Sequence, residues 1–320
     1  MFGELIRIWE KGEYSYPRAC GFVPSLVSYI HEDEKKRPCM IIVPGGGYRF
    51  VSPREGEIVA RKFYDKGYNT FVLTYTTNLT LTEPLKEQPM KDLARAIRKI
   101  RQGAERYQID PEKVILCGFS AGGHLCASVG VHYKDIQDEH RVYKKFSCRP
   151  DAMILSYPVI TSGIYAHKES FEALYGKQAA EKELEYMSLE KHVTKDIPPC
   201  FVWHTVSDQT VPVENSHLFA RACKEQDVLY SFHLFSNGKH GLSLANEQWA
   251  SGDCGRAYTK EQMILLAKSM EEGKITLPKE AKERVRAEIS KVREKDEPSE
   301  EVSIWPELAD RWLRTILLKR

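Results

Sequence analysis

Short, nearly unbroken apolar runs alternate along the chain with longer stretches in which apolar residues return every three or four positions. The first pattern belongs to strands covered on both faces, the second to helices with one buried side. Strands are expected over 39–43, 70–75, 114–117, 152–156, 200–204 and 230–235. An earlier pair, around 5–9 and 21–29, is expected to form an antiparallel start to the sheet. Between the strands, Ser52-Pro53-Arg54-Glu55 reads as a capping box with proline at the first helical position, opening a helix that Gly67 ends. Leu93, Ala94, Ile97 and Ile100 mark one buried face of a helix over 90–105, and 213–224 carries another. Trp305, Leu308, Trp312, Leu313 and Ile316 form the inner side of a closing helix over 303–318. This alternation predicts an α/β fold with a central, mostly parallel sheet flanked by helices.

Two segments break the rhythm. Residues 158–198 are too many for a simple crossover and predict a small helical cap containing Tyr165, Phe171, Tyr175 and Tyr186. Residues 252–302 are dense in Lys and Glu, with Ala281, Val285, Ile289 and Val292 in a narrow stripe at helical spacing. A helical insertion packed on the domain edge is the first expectation there, with a subunit contact or a flap over the site as alternatives.

Composition narrows the class. The 320 residues carry 47 basic and 45 acidic side chains, for a formal net charge of +2. Hydrophobic residues make up 42% and charged residues 29%, ordinary globular usage that excludes disordered and collagen-like chains. The balanced charge argues against nucleic acid as a partner, because phosphate binding needs a basic surplus. No run approaches the roughly 18 apolar residues of a membrane span. The N-terminus places Glu4 and Glu10 where a signal peptide would be basic and then apolar. Eight scattered cysteines show neither a C-x-x-C pair nor zinc-like spacing and read as small buried hydrophobes in a reducing compartment. A soluble cytoplasmic protein is expected, with a homo-oligomer left open.

The strongest chemical signal is Gly118-Phe119-Ser120-Ala121-Gly122, which follows the strand at 114–117 and opens a helical stretch. A nucleophile elbow needs this context: a serine on a sharp strand-to-helix turn, with glycines where side chains would collide. A serine hydroxyl is a weak nucleophile and needs an adjacent base, itself oriented by a carboxylate. In folds with such an elbow the acid and then the histidine follow the serine, each after a late strand. Asp208 and His240 stand at those places. His204 lies within its strand, His217 and His233 are in mid-element, and Asp227 precedes the last strand, on the wrong side of the sheet. His132 and His140, with Asp135 and Asp138, match no metal-ligand spacing, so no metal is expected.

Acyl transfer also needs donors for the developing oxyanion. The amide of Ala121 is one candidate, and those of Gly46 and Gly47, in Pro44-Gly45-Gly46-Gly47-Tyr48 after the strand at 39–43, are the others. Tyr48 and His124 are candidate substrate contacts, a structural place in the first helical turn being the competing expectation for His124.

Taken together, Pro44-Gly45-Gly46-Gly47-Tyr48, the following Ser52-Pro53-Arg54-Glu55-Gly56-Glu57, Gly118 through His124, Asp208 before Val211-Pro212-Val213, and His240-Gly241-Leu242-Ser243 resemble the α/β-hydrolase serine esterases. Within them the chain looks most like the bacterial acetyl-xylan and feruloyl esterase-like branch, over roughly residues 20–250 and the final helix. The sequence departs from many lipases and esterases at Pro44, where they carry histidine. The resemblance implies hydrolysis of short acyl, often acetyl, esters on sugars without a cofactor. It assigns Ser120 as nucleophile, His240 as base and Asp208 as its orienting acid, with an acyl-enzyme between the two half-reactions. His167, Lys168, Glu169 and Glu172 among the cap aromatics favour short acyl chains, since a long-chain lipase would want an apolar lid. An amide or formamide hydrolase, a peptidase, or a non-catalytic protein retaining the fold are the alternatives. Because Ser120, Asp208 and His240 span a single sheet, residues 1–320 are expected to be one domain.

Overall fold

A computed structural model of the protein describes residues 2–291 and 295–317. Its centre is an eight-stranded sheet of β1 (Phe2–Arg7), β2 (Ser25–Tyr29), β3 (Arg37–Val43), β4 (Asn69–Thr74), β5 (Ile109–Phe119), β6 (Ala152–Ser156), β7 (Cys200–Thr205) and β8 (Tyr230–Phe235). The spatial order is β1-β2-β4-β3-β5-β6-β7-β8. β1 and β2 pair antiparallel, β2 joins β4 antiparallel, and every later pairing is parallel. The antiparallel start and all six expected parallel strands are therefore present. Residues 109–113 lengthen β5 beyond the apolar run because Arg37 pairs with Ile109 across a register shift.

Alternation along each strand divides the core. On β3, Cys39, Ile41 and Val43 face one cluster, packed with Leu93, Ile97 and Ile100 of α2 (Gln88–Gln102) and Leu125 of α3 (Ala121–His132). Met40 and Ile42 face the opposite cluster, with Phe63 of α1 (Glu57–Asp65) and Trp305 of the closing helix. Both faces being covered, β4, β6 and β7 are buried throughout, which is why each places apolar residues on both faces. Among the described residues no helix is long and apolar enough to cross a membrane.

The capping box is not formed. Ser52 makes no side-chain cap; Pro53–Glu55 is a 3-10 turn, and α1 begins only at Glu57. Glu55 is instead drawn into the interior, where stronger partners hold it.

The segment 158–198 holds α4 (Lys168–Tyr175), α5 (Glu181–Tyr186) and a 3-10 turn at Leu189–Lys191. Phe171, Leu174, Met187 and Leu189 join the same apolar cluster as α2 and α3. α6 (Glu214–Glu225) and the short α7 (Glu247–Ser251) follow β7 and β8. Beyond them lie α8 (Glu261–Glu271), α9 (Lys279–Ser290), α10 (Glu300–Ser303) and α11 (Trp305–Leu317). Ala281 and Val285 are buried with Leu79 and Leu266 in a small cluster of their own. Ile289 is 48% exposed, so the narrow stripe ends there. Val292 and the last expected residue of the closing helix, Leu318, lie outside the described residues.

Candidate active site

β5 delivers its chain directly into α3 through Ser120, whose φ of 52° and ψ of −119° lie in a region that side-chain-bearing residues rarely occupy. The turn is possible only because its neighbours lack side chains. A Cβ on Gly118 would collide with the Gly122 carbonyl, and one on Gly122 with the Val43 and Pro44 carbonyls. Hydrogen bonds from the Ser120 amide to the Ser156 carbonyl (3.0 Å) and from the Val159 amide to the Ser120 carbonyl (3.2 Å) fix the strained residue.

Ser120, Asp208 and His240, spread over 120 residues of sequence, meet at the carboxyl ends of the strands. His240 Nε2 stands 2.8 Å from Ser120 Oγ, and its Nδ1 stands 2.6 Å from Asp208 Oδ2. Asp208 Oδ1 accepts from the amides of Thr210 (2.8 Å) and Val211 (3.0 Å). Burial alone would raise the Asp208 pKa. Hydrogen bonds from His204 and His240 outweigh it and hold the carboxyl well below the usual carboxylate range. Anionic Asp208 then requires the proton of His240 on Nδ1, which leaves Nε2 as acceptor toward the serine hydroxyl.

His204, within β7, is fully buried beside this array. Its Nε2 donates to the Val211 carbonyl (3.0 Å) and lies 3.3 Å from Asp208 Oδ2, so Nδ1 accepts from Ser216 (2.8 Å). It braces the Asp208 loop from beneath.

Gly46 and Gly47 line a cavity of about 570 Å³ that also contains Ser120 and His240. Ala121 opens α3 directly after the serine, where first-turn amides have no intrahelical acceptor. Tyr48 and His124 are placed differently from the expectation of substrate contact, and that expectation is corrected. Both side chains are completely buried. His124 Nε2 donates to the Met187 carbonyl (3.0 Å), and its Nδ1 accepts from the Tyr48 hydroxyl (2.8 Å). Burial pushes the His124 pKa down to about 4, so the ring is a neutral strut tying the glycine loop to the 158–198 segment. His132 and Asp138 are likewise engaged elsewhere, stacked on Tyr186 and paired with Arg95 respectively.

Two acidic residues that the sequence did not single out organise the surrounding loops. Glu55 Oε2 accepts from the Gly45 amide (2.8 Å) and Oε1 from the Tyr157 hydroxyl (2.8 Å). Tyr157 in turn accepts from the Ser243 amide (3.0 Å), so one buried carboxylate connects the glycine loop to the His240 loop. The only signal available was Glu55 itself, disguised as part of a capping box. Asp296 pairs with Arg54 (2.6 Å) and with Lys239, immediately before His240. Around it the Asp296 amide bonds the Ala250 carbonyl (3.1 Å), the Ser299 amide bonds the Ala245 carbonyl (2.8 Å), and Glu301 accepts from the Ser236 amide (2.9 Å). The irregular stretch before α10 thus clasps the His240 loop on both sides.

Asp296→Asn is expected to leave two cations without their counter-ion. The cost should be about 2 kcal/mol, less than for a fully buried pair because Lys239 is largely exposed. Thermal unfolding should show it as a fall in Tm of roughly 4 °C; a Tm within one degree of the parent protein would show the clasp to be energetically idle.

A parallel sheet flanked by helices, with a strained serine between β5 and α3 and a histidine and carboxylate on later loops, defines an α/β-hydrolase. The chain belongs to the esterase-like branch of that superfamily. It belongs to the BD-FAE family, whose model matches residues 27–223. It is 48% identical over 257 residues to a protein named endo-1,4-beta-xylanase B from Butyrivibrio fibrisolvens, covering 80% of this chain and 40% of that one. It is 28% identical to an acetylxylan esterase from Xylanibacter ruminicola, covering 68% of this chain and 44% of that one. The chain therefore spans less than half the length of these two relatives. Among solved structures, an acetyl ester-xyloside bifunctional hydrolase from Caldicellulosiruptor lactoaceticus superposes with a TM-score of 0.72 at 37% identity, over 86% of this chain and 98% of that one.

Proposed function

We propose that the protein hydrolyses short acyl esters, acetyl esters foremost, carried on carbohydrate. The observation that carries this is the continuous hydrogen-bonded series Ser120 Oγ, His240 and Asp208. In the proposed reaction Ser120 Oγ attacks the ester carbonyl carbon while His240 Nε2 takes the hydroxyl proton. The amides of Ala121 and of Gly46 or Gly47 receive the oxyanion. Collapse breaks the bond to the alcohol, which leaves with the proton from His240, and an acyl-serine remains. Water then adds to the acyl carbon, giving its proton to His240, and the carboxylic acid departs as Ser120 regains its proton.

Carbohydrate as the alcohol is supported by the cavity wall. Apart from Phe50 and the glycines, polar or charged side chains line it, among them Arg49, Arg54, His167, Thr210, Lys239 and Glu288. Such a wall suits a hydrated, hydroxyl-rich group and would leave a lipid's apolar surface unmatched. Similarity to an acetylxylan esterase and an acetyl ester-xyloside hydrolase points the same way.

Rates on a series of 4-nitrophenyl esters test the acyl preference: acetate should be cleaved faster than octanoate. Acetate release from acetylated xylo-oligosaccharides, followed by product analysis, tests the alcohol. Octanoate cleaved faster than acetate, or no acetate released from the oligosaccharides, would overturn the corresponding half of the proposal.

A further inference from the structure

His167 stands immediately before α4 and lines the cavity with Ser120 and His240. It occupies the N-cap position of that helix, yet its side chain makes no cap. Its Nδ1 is held instead by Ser170 Oγ at 2.8 Å, while Nε2 has no hydrogen-bond partner among the described residues. The ring is close to the glycine loop: a Cβ placed on Gly47 would lie 3.6 Å from His167 Cε1, the atom that separates the two ring nitrogens. Gly47 keeps that space open, with φ of 62°. Burial first, and then the neighbouring His240, push the His167 pKa below the usual imidazole range, so the ring is neutral.

The segment that presents His167 is anchored. Asn215 Oδ1 of α6 accepts from the amides of Ile160 (2.8 Å) and Thr161 (3.1 Å), and its Nδ2 donates to the Tyr165 carbonyl (2.9 Å). From the other side Arg49, in the loop that follows Gly47, pairs with Glu169 at 2.9 Å. A histidine with one nitrogen fixed, the other unpartnered and a braced backbone is placed to read a ligand rather than to fill space.

Resting on the ester-hydrolase proposal above, we infer that His167 is a specificity-determining residue whose Nε2 binds the hydroxyl next to the ester on the alcohol portion of the substrate. The acyl side cannot supply that partner, because an acetyl group has no polar atom beyond its carbonyl. The alcohol side can, since a sugar ester carries a hydroxyl on the adjacent carbon. A hydroxyl also fits either tautomer. If Ser170 donates to Nδ1, Nε2 carries the proton and the hydroxyl accepts; if Nδ1 donates to Ser170, Nε2 accepts and the hydroxyl donates.

The test pairs a side chain with a substrate atom. Mono-acetylated methyl xyloside and the analogue in which hydrogen replaces the hydroxyl next to the ester are compared with the parent protein, His167→Phe and His167→Gln. In the parent, kcat/KM should favour the hydroxyl-bearing ester by roughly tenfold, the magnitude of one net hydrogen bond. His167→Phe should bring that ratio close to one, and His167→Gln, whose amide can also donate or accept, should restore part of it. A loss of stability alone would lower both rates together and leave the ratio where it was. A parental ratio near one, or a ratio unchanged in His167→Phe, overturns the inference while esterase activity on both compounds stands. If the parent cleaves neither compound nor 4-nitrophenyl acetate, the ester-hydrolase proposal itself falls, and the role of His167 with it.

Discussion

Ser120→Ala is expected to lower kcat on 4-nitrophenyl acetate by about 10⁴- to 10⁶-fold while leaving Tm and the circular dichroism spectrum intact. The magnitude follows from chemistry rather than packing. Removing Oγ deletes the atom proposed to form the acyl bond, and His240, 2.8 Å away, would then have no hydroxyl to deprotonate. Residual turnover would come from water held near the amides proposed for the oxyanion, which keep their places because the strained backbone is fixed by Ser156 and Val159. Alanine does not favour the φ of 52° any more than serine does, so the elbow's strain is nearly unchanged. A fluorophosphonate should label the parent protein stoichiometrically and the variant not at all. Activity within tenfold of the parent, or labelling that persists, would remove Ser120 from the role of nucleophile.

Asp208→Asn should cost about 10⁴-fold in kcat with little change in KM. An asparagine can keep the outline of the side chain and accept from the Thr210 and Val211 amides, but it carries no charge. In the proposed mechanism two functions go at once. The proton of His240 is no longer drawn to Nδ1, so part of the population presents a protonated Nε2 to the serine, and the imidazolium that forms during attack loses its counter-ion. His204 does not compensate, because its Nε2 donates to the Val211 carbonyl and lies farther from the carboxylate than His240 does. Labelling by the fluorophosphonate should slow by a similar factor. A kcat reduced less than tenfold would mean that the carboxylate does not orient the base.

Part of the candidate site was legible in the chain because the turn at Ser120 is local. The elbow is made by five consecutive residues whose glycines answer collisions within the same turn and with β3. Asp208 and His240 could be chosen because parallel strands all deliver their carboxyl ends to one edge, so the loop following a late strand must arrive there. Glu55 shows where local logic failed. Its spacing from Ser52 satisfied a helix-capping pattern, yet the buried Gly45 amide and Tyr157 hydroxyl, neither adjacent in sequence, compete for the same carboxylate and win. Tyr48 and His124 failed in the opposite sense. Both were candidate substrate contacts, with a structural place as the competing expectation for His124, and the two side chains satisfy each other in the interior.

In the charged stretch at 252–302 the helices and the Ala281–Val285 stripe were legible, but the contact made by Asp296 was not. The stretch's Lys and Glu density speaks of solvent, and no periodicity marks Asp296 among so many acids. What the sequence by itself determined were the α/β class and the strand-turn-helix at Ser120, and it nominated Asp208 and His240 as candidates, because these readings rest on periodicity, turn sterics and strand direction. Only the tertiary structure decided that Asp296 clasps the His240 loop through Lys239 and Arg54, that Glu55 links two loops, and that His167 lines one cavity with Ser120 and His240. These depend on contacts between segments far apart in the chain, and an ion pair or hydrogen bond of that kind leaves no spacing rule in the sequence.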